Sequence, residues 1–229
     1  MFNIKKHIPN SITCCNLISG CMATYWAFMG IYEFALLLII IGAVFDFFDG
    51  MTARLLGVSS PIGKELDSLA DCITFGFAPS AIIFSYLSTF ETHNFIIPFL
   101  AFIMAAFSAL RLAKFNLDER QALGFIGLPT PANALFWGSL IVGTQEYLEE
   151  IPYIPFILLA GVLLSCYLLV SEIPMFALKF KHWGWKDNEI KYIFVLSCIP
   201  LLLLLGVSGF AAIIAWYIIL SAATAKKTN

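Results

Sequence analysis

Long apolar runs follow one another along almost the whole of this 229-residue chain. Hydrophobic residues make up 60% of the sequence and charged residues 12%, whereas soluble domains average about 45–50% apolar and about 25% charged residues. Inside a bilayer, a spanning segment must satisfy its own backbone polar groups, and a helix does so within one segment. The sequence therefore predicts an all-α integral membrane protein.

Eight of the apolar runs are long enough to cross a hydrocarbon core, which takes about 20 residues with some tilt or shortening. They cover approximately residues 13–32, 34–56, 66–89, 94–115, 129–146, 152–173, 190–206 and 208–225. We therefore expect a bundle of about eight transmembrane helices in a single membrane domain, residues 1–229. The first residues, 1–12, are expected to form an interfacial segment before the first crossing.

The distribution of basic residues predicts the orientation of this bundle. If the N-terminus lies in the cytoplasm, all 13 Lys and Arg fall on the cytoplasmic side of the eight crossings. The opposite loops contain Glu33, Glu91, His93, Glu146, Glu149 and Glu150. This positive-inside pattern predicts a multi-pass protein of the cytoplasmic membrane. No basic patch large enough for nucleic acid is present.

Four aspartates lie within or beside two of the apolar runs, where a charged carboxylate is costly. They are Asp46, Asp49, Asp67 and Asp71. Their spacings of three and four residues place each pair on one helical face, and residues 57–62 favour a tight turn between the helices. We expect the two acidic faces to meet as antiparallel neighbours. Clustered carboxylates suit Mg²⁺ or Mn²⁺, so the sequence predicts a metal site in the cytoplasmic half of the membrane.

Three interpretations of the aspartates remain open on physical grounds alone. The first is the metal centre of an enzyme. In the second, Arg54 and Lys64 neutralise the acids in a structural ion-pair network, although two bases cannot balance four acids. The third is an ion pathway of a divalent-metal transporter, which also uses intramembrane acids. A pathway would need polar residues in the outer half of the membrane, and residues 34–45 are apolar without interruption.

The region of the aspartates also matches a known signature. From Asp46 to Asp71 the sequence resembles, at every specified position, the pattern D-x2-D-G-x2-A-R-x8-G-x3-D-x3-D of the CDP-alcohol phosphotransferases. Residues 9–16 and 76–79 also resemble elements of that family. Within the family, residues 111–116 (RLAKFN) and 125–133 (FIGLPTPAN) look most like the membrane-embedded phosphatidylserine synthases.

The resemblance implies the CDP-alcohol phosphotransferase fold and a reaction. The phosphatidyl group of CDP-diacylglycerol would pass to the hydroxyl of L-serine, giving phosphatidylserine and CMP. The four aspartates would hold two divalent ions, Mg²⁺ or Mn²⁺, and Asp71 would also be the general base. Residues 13–146 would form the catalytic helices and residues 152–225 additional helices. A homodimer is implied as well, with membrane lipids as further partners.

Candidate contacts to the nucleotide of the CDP-lipid follow from the same motifs. They are Gly50, Ala53, Arg54, Gly63, Thr13, Asn16 and Pro79. Gly50 and Ala53 have no bulky side chain, so a nucleotide can pack against that helical face. Arg54 suits a phosphate or Asp49. Thr13 and Asn16 equally suit a second role, the capping of the first transmembrane helix.

Candidate contacts to the acceptor lie on the fourth and fifth apolar runs. Arg111 suits the carboxylate of serine because a guanidinium binds a carboxylate through two parallel hydrogen bonds. Lys114, one turn later, is a second candidate, and snorkelling to the membrane surface is the competing role of both residues. Pro129 is expected to break the helix and free carbonyl groups for an ammonium group, with Asn133 as a further contact.

Other members of the same family remain alternatives. Glycerol 3-phosphate or inositol phosphate would be bound by the same basic residues, with Arg120 in addition. An archaeal-type ether lipid would offer the same headgroup chemistry as CDP-diacylglycerol.

Overall fold

The computed structural model describes residues 5, 7–90, 95–118, 125–151, 153–176, 178, 184–185 and 188–225. Nearly all of these residues are helical, which confirms the all-α prediction. Four of the described helical stretches are long and apolar enough to cross a membrane by length and composition: Tyr32–Leu56, Pro61–Leu87, Ile97–Leu117 and Glu189–Thr224. The count of about eight crossings stays a prediction.

The first half of the chain forms four α-helices, with a π-helical segment between the third and the fourth. These are α1 (His7–Phe28), α2 (Tyr32–Leu56), α3 (Pro61–Asp71), the π-helical segment (Cys72–Phe77) and α4 (Ala78–Leu87).

The second half contains five α-helices, two 3₁₀ segments and two very short strands. In chain order they are a 3₁₀ segment (Ile97–Phe102), α5 (Ile103–Leu117), β1 (Phe125–Ile126), α6 (Thr130–Leu148), α7 (Ile154–Val170), β2 (Pro174–Met175), α8 (Glu189–Leu205), a 3₁₀ segment (Gly206–Ser208) and α9 (Gly209–Ala225).

Helix α1 begins earlier than the sequence predicted. It starts at His7 and includes Pro9, which is tolerated because the first-turn N–H groups have no helical partner. Residues 7–12 therefore belong to α1, residues 1–4 and 6 lie outside the described part, and the interfacial segment stays a prediction. Thr13 and Asn16 lie inside the helix, so the capping role considered for them is wrong.

The tight turn between α2 and α3 is confirmed. Gly57 adopts a left-handed conformation at φ 61°, and its N–H bonds to carbonyls at the end of α2. The Ser60 side chain then caps α3 by accepting a 2.9 Å hydrogen bond from the Gly63 N–H. Pro61 follows as the first helical residue, where its fixed φ favours the helix.

The acidic faces of α2 and α3 meet as expected, with α1 packed alongside both helices. The backbones of these helices make little contact with each other, and α1 packs along both of them. Small or short side chains line the buried face of α1 and permit this close approach. They are Pro9, Thr13, Asn16, Ser19, Gly20, Ala23, Thr24 and Ala27. The acidic faces of α2 and α3 therefore meet alongside α1.

A short pairing joins the start of α6 to the end of α7. Strands β1 and β2 are antiparallel, and just beyond them the Gly127 N–H donates to the Ile173 carbonyl at 2.9 Å. The Leu128 N–H donates to the Leu168 carbonyl, also at 2.9 Å. Gly127 has φ 74°, and a Cβ there would lie 2.8 Å from the Leu169 carbonyl oxygen. The segment leading into α6 is thus held by α7.

The last two helices turn back on each other. Gly206 has φ 57°, and a Cβ on Gly209 would lie 2.8 Å from the Leu201 carbonyl oxygen. Residues eight apart in one straight helix would be about 12 Å apart at 1.5 Å per residue, so the chain reverses between α8 and α9.

Some residues of the orientation argument lie outside the described part of the chain. They are Lys6, Glu91, His93, Arg120, Lys179, Lys181, Lys186, Lys226 and Lys227.

Candidate active site

Three of the four aspartates converge. One carboxylate oxygen from each of Asp46, Asp49 and Asp67 lies within 4.8 Å of the others. Asp49 is buried, and the other two are half-buried. Oxygen donors at this spacing fit a hard divalent cation such as Mg²⁺ or Mn²⁺. The residues present therefore fit the metal site that the sequence predicts.

Asp71 lies outside this group of three and, like Asp49, is buried. Only 9% of its surface is exposed. It is the last residue of α3, one helical turn after Asp67, and its Oδ1 accepts a 3.1 Å hydrogen bond from Asn16 Nδ2. This arrangement leaves Oδ2 of Asp71 available for another partner.

Helix α1 contacts one aspartate on each of the two acidic helices. Thr13 Oγ1 donates to Asp49 Oδ2 at 2.6 Å, and Asn16 donates to Asp71. Thr13 and Asn16 are three residues apart, so they project from one face of α1 toward α2 and α3. The sequence indicated both residues but not these contacts, because the partners are far apart in the chain: 36 residues separate Thr13 from Asp49, and 55 separate Asn16 from Asp71.

A cavity of about 210 Å³ opens beside the carboxylates. It brings together four predicted nucleotide contacts, Thr13, Gly50, Ala53 and Gly63, with Asp49 and Asp67. Its wall also includes residues that the sequence analysis did not single out for this role. They are Pro9, Asn10, Val58, Ser59, Ser60 and Lys64. Ser60 and Lys64 occupy unspecified positions inside the signature, near the specified Gly63, and this position was the available signal.

The two glycines on this cavity differ in how closely other atoms approach them. A Cβ on Gly50 would meet only Arg54 Nη1, at the ordinary contact distance of 3.7 Å. A Cβ on Gly63 would lie 3.0 Å from both Asn10 Oδ1 and Ser60 Oγ. The open space next to Gly50 therefore belongs to the cavity, whereas Gly63 is needed for the tight start of α3.

The structural ion-pair interpretation is not supported by the described residues. Among them, neither Arg54 nor Lys64 forms an ion pair with any of the four aspartates. Lys64 Nζ donates instead to the Asn116 carbonyl at 2.7 Å, and Arg54 is exposed. Within the described part of the chain, these two bases therefore leave the carboxylates available to a metal ion.

The three remaining nucleotide candidates do not line this cavity. Pro79 is buried at the beginning of α4, beyond the π-helical segment. Asn16 contacts Asp71. Arg54 is exposed, with its Nη1 3.7 Å from a Cβ built on Gly50.

Arg111 and Lys114 have different environments although they are one turn apart on α5. Arg111 is 7% exposed, near enough to Asp71 for their charges to attract, and its guanidinium lies 5.5 Å from the Phe115 ring centroid. Its Nε is buried and has no hydrogen-bond partner among the described residues. Lys114 is exposed, which agrees with the snorkelling role. Burial separates two residues that the sequence could not distinguish.

The segment before α6 leads directly into the helix. The Pro129 carbonyl accepts a 3.0 Å hydrogen bond from the Asn133 N–H, so it belongs to the first turn of α6. The contact of Pro129 to the acceptor stays a prediction. Asn133 is fully buried, and neither its Oδ1 nor its Nδ2 has a partner in the described part. The buried Thr130 hydroxyl, which the sequence analysis missed, is in the same state.

Asn133 lines a second, mostly apolar cavity of about 370 Å³ between α6, α7 and α9. Leu128, Trp137, Ser165 and Ile218 also belong to its wall. The Trp137 indole N–H is satisfied by Ser165 Oγ at 2.9 Å. The carboxamide of Asn133 is therefore the polar group of this cavity wall that lacks a partner.

These features define a helical membrane protein with a carboxylate cluster beside a cavity of about 210 Å³. Residues 6–164 match the family model of the CDP-alcohol phosphatidyltransferases. The chain belongs to this family, and it is an enzyme. The family resemblance predicted from the sequence is thereby confirmed, and the match extends into α7.

Curated relatives from three organisms carry the name CDP-diacylglycerol–serine O-phosphatidyltransferase. The Bacillus subtilis protein is 37% identical over 178 residues, which cover 78% of this chain and 92% of the relative. The Methanocaldococcus jannaschii protein is 33% identical over 213 residues, covering 92% and 90%. The Helicobacter pylori protein is 33% identical over 196 residues, covering 82% and 79%.

Proposed function

We propose that this enzyme transfers the phosphatidyl group of CDP-diacylglycerol to the hydroxyl of L-serine, giving phosphatidylserine and CMP. The observation that carries the proposal is the convergence of Asp46, Asp49 and Asp67, two of which, Asp49 and Asp67, line the same cavity as Gly50 and Gly63. The shared name of the relatives supports serine as the acceptor.

In this proposal the four aspartates bind two divalent ions, Mg²⁺ or Mn²⁺. When bound, such ions would neutralise the pyrophosphate and stabilise CMP as it leaves. The chain itself orients the carboxylates: Thr13 fixes one oxygen of Asp49. The space beside Gly50 and Ala53 would accept the cytidine, and Lys64 on the cavity wall would offer a positive charge to a phosphate.

Asp71 would act as the general base. Its carboxylate takes the proton from the serine hydroxyl, the serine oxygen forms a bond to the β-phosphorus, and the bond from that phosphorus to the CMP oxygen breaks. Asn16 holds Oδ1, so Oδ2 would receive the proton. A base must lie within hydrogen-bond reach of the proton that it abstracts, and fixing one oxygen restricts the other to one position.

Arg111 would bind the serine carboxylate. Its buried Nε lacks a partner among the described residues, and a buried unpaired donor is costly unless a ligand satisfies it. Lys114 is less suited because it is exposed. Asn133 is proposed for the serine ammonium group, since its buried carboxamide oxygen also lacks a partner in the described part.

The site would lie in the cytoplasmic half of the membrane, as the positive-inside pattern predicts. A diacyl donor could then enter sideways from the bilayer, and serine from the cytoplasm. We also propose a homodimer, on the family resemblance alone.

The test is CMP release by the purified, detergent-solubilised protein, given CDP-diacylglycerol and Mg²⁺ or Mn²⁺. Serine, glycerol 3-phosphate and inositol phosphate are supplied separately, with Asp71→Asn as the control. Release that needs serine, metal and Asp71 would support the proposal. Release with another acceptor would keep the catalytic centre and reject serine, and preference for an ether-lipid donor would change the donor class. No release with any acceptor would reopen the metal-transport alternative.

A further inference from the structure

The π-helical segment Cys72–Phe77 begins directly after Asp71. Such wide turns are rare and often occur at functional sites, because they shift the side chains that follow. Thr74 lies in the middle of this segment and is fully buried. The sequence signature ends at Asp71, and the proposed reaction does not use Thr74.

Two glycines on two different helices make room for the Thr74 side chain. A Cβ on Gly20 of α1 would overlap the Thr74 hydroxyl and would lie 2.8 Å from its Cα. A Cβ on Gly42 of α2 would lie 2.5 Å from Thr74 Cγ2 and 2.9 Å from Asn16 Oδ1. Thr74 therefore lies between α1 and α2, with its hydroxyl toward α1 and its methyl group toward α2.

The hydroxyl of Thr74 connects to Asp71 through one intermediate residue. Thr74 Oγ1 donates to the Asn16 backbone carbonyl at 3.0 Å, and Asn16 Nδ2 donates to Asp71 Oδ1 at 3.1 Å. A carbonyl oxygen has two lone pairs, so the Asn16 carbonyl can accept from Thr74 as well as from the helix. The Asn16 Oδ1 atom has no hydrogen-bond donor among the described residues. The hydrogen bond from the Thr74 hydroxyl to the Asn16 backbone carbonyl thus helps to fix Asn16 beside Asp71.

We propose that Thr74 is a positioning residue. It fixes the position of α1 relative to α3, so that the Asn16 carboxamide meets Asp71. The inference rests on the proposed role of Asp71 as a base and metal ligand. It explains why the π-helical segment follows Asp71 directly: the wide turn brings Thr74 to the Asn16 carbonyl, and the two glycines permit the contact.

The test compares Thr74→Val, which keeps the shape and loses the hydroxyl, with Thr74→Ser, which keeps the hydroxyl. Thr24→Val is the matched control, because among the described residues the Thr24 hydroxyl bonds only to the Gly20 carbonyl of its own helix, α1. We expect Thr74→Val to lower kcat about tenfold, the effect of losing one hydrogen bond. The KM values for CDP-lipid and serine should change less than about twofold, Thr74→Ser should recover most of the loss, and Tm should match that of Thr24→Val.

A second readout does not depend on the acceptor. Free Mn²⁺ measured by electron paramagnetic resonance should show weaker Mn²⁺ binding by Thr74→Val than by Thr24→Val. In a double-mutant cycle, Thr74→Val should add little to the loss caused by Asn16→Ala, because both act through the same bond.

These outcomes separate the two proposals. Weaker Mn²⁺ binding by Thr74→Val, in an enzyme that does not use serine, would reject the proposed function and keep the positioning role. The positioning role is overturned if Thr74→Val matches Thr24→Val in both kcat and Mn²⁺ affinity, or if its loss adds fully to that of Asn16→Ala. A wild-type protein that binds no Mn²⁺ and releases no CMP would overturn both proposals.

Discussion

At the scale of single residues, the difference between Arg111 and Lys114 is the clearest case of burial giving two basic side chains different roles. Both lie near the end of α5, yet Arg111 is enclosed against Phe115 and Lys114 is exposed. A buried guanidinium has lost its water and depends on an anionic partner. The exposed ammonium keeps its hydration and needs none.

We predict that Arg111→Ala raises the KM for serine by about 10- to 100-fold. This factor corresponds to the free energy that hydrogen bonds to a charged group contribute to binding. The KM for CDP-diacylglycerol should change much less. Lys114→Ala is the matched control, and both of its KM values should stay close to those of the wild type. Steady-state CMP release at varied concentrations of each substrate gives these numbers. An equal rise in both KM values for Arg111→Ala would remove Arg111 from the acceptor site.

A second prediction concerns the space beside Gly50. Because a Cβ there meets only Arg54 Nη1 at 3.7 Å, Gly50→Ala should fold normally. The added methyl group projects into the cavity proposed for cytidine, so we expect a higher KM for the CDP-lipid with an unchanged Tm. Inhibition by CMP, the product, should weaken in parallel. Unchanged KM and CMP inhibition would place the nucleotide elsewhere.

At the scale of elements, helix α1 organises the acidic centre. It packs along α2 and α3, and its side chains reach Asp49 and Asp71 on these two helices. Glycines at positions 20 and 42 permit this close packing around Thr74. Small residues are typical of such contacts in membranes, where packing rather than the hydrophobic effect drives helix association.

Gly42→Ala should therefore destabilise the fold. Its Cβ would lie 2.5 Å from Thr74 Cγ2, so α2 would have to move away from the π-helical segment. Overpacking of this kind costs about 1–3 kcal/mol. Thermal unfolding in detergent should show a lower Tm for Gly42→Ala than for Gly50→Ala, which adds the same methyl group to the same helix. Equal Tm values would contradict the close packing described here.

The start of α6 depends on the C-terminal third of the chain. The Gly127 and Leu128 N–H groups donate to carbonyls near the end of α7. Thr130 and Asn133 follow within the next turns of α6. The additional helices therefore hold the segment that carries the proposed acceptor residues, a role that the sequence of α7 did not indicate.

At the scale of the whole molecule, the aspartate cluster and the basic residues should lie on the same side of the membrane. The positive-inside pattern predicts that both lie at the cytoplasmic face. The predicted even number of crossings would then return the C-terminus to the cytoplasm.

This orientation is testable with C-terminal fusions. A fused green fluorescent protein should fluoresce, and a fused alkaline phosphatase, which needs an oxidising compartment for its disulfides, should be inactive. Matched fusions after Glu150, in a predicted outer loop, should give the opposite pair of results. The same result at both positions would require an even number of crossings between them and would reject the assigned topology.

The sequence by itself determined the features that depend on neighbours within a few turns. Its apolar runs predicted the helices, residues 57–62 predicted the turn, and the three- and four-residue spacings placed the aspartates on helical faces. The family signature lies within these same local segments. Each of these features follows from backbone geometry and local side-chain chemistry, which the order of residues specifies directly.

Only the tertiary structure decided which faces meet. In a membrane protein, hydropathy does not separate the lipid-facing surface from the core: Phe47 is 62% exposed and Phe75 is fully buried. The contacts of α1 with Asp49 and Asp71, the burial of Arg111 and the wall position of Asn133 join residues far apart in the chain. They depend on small side chains that let particular helices approach, and that complementarity exists only once the helices have packed.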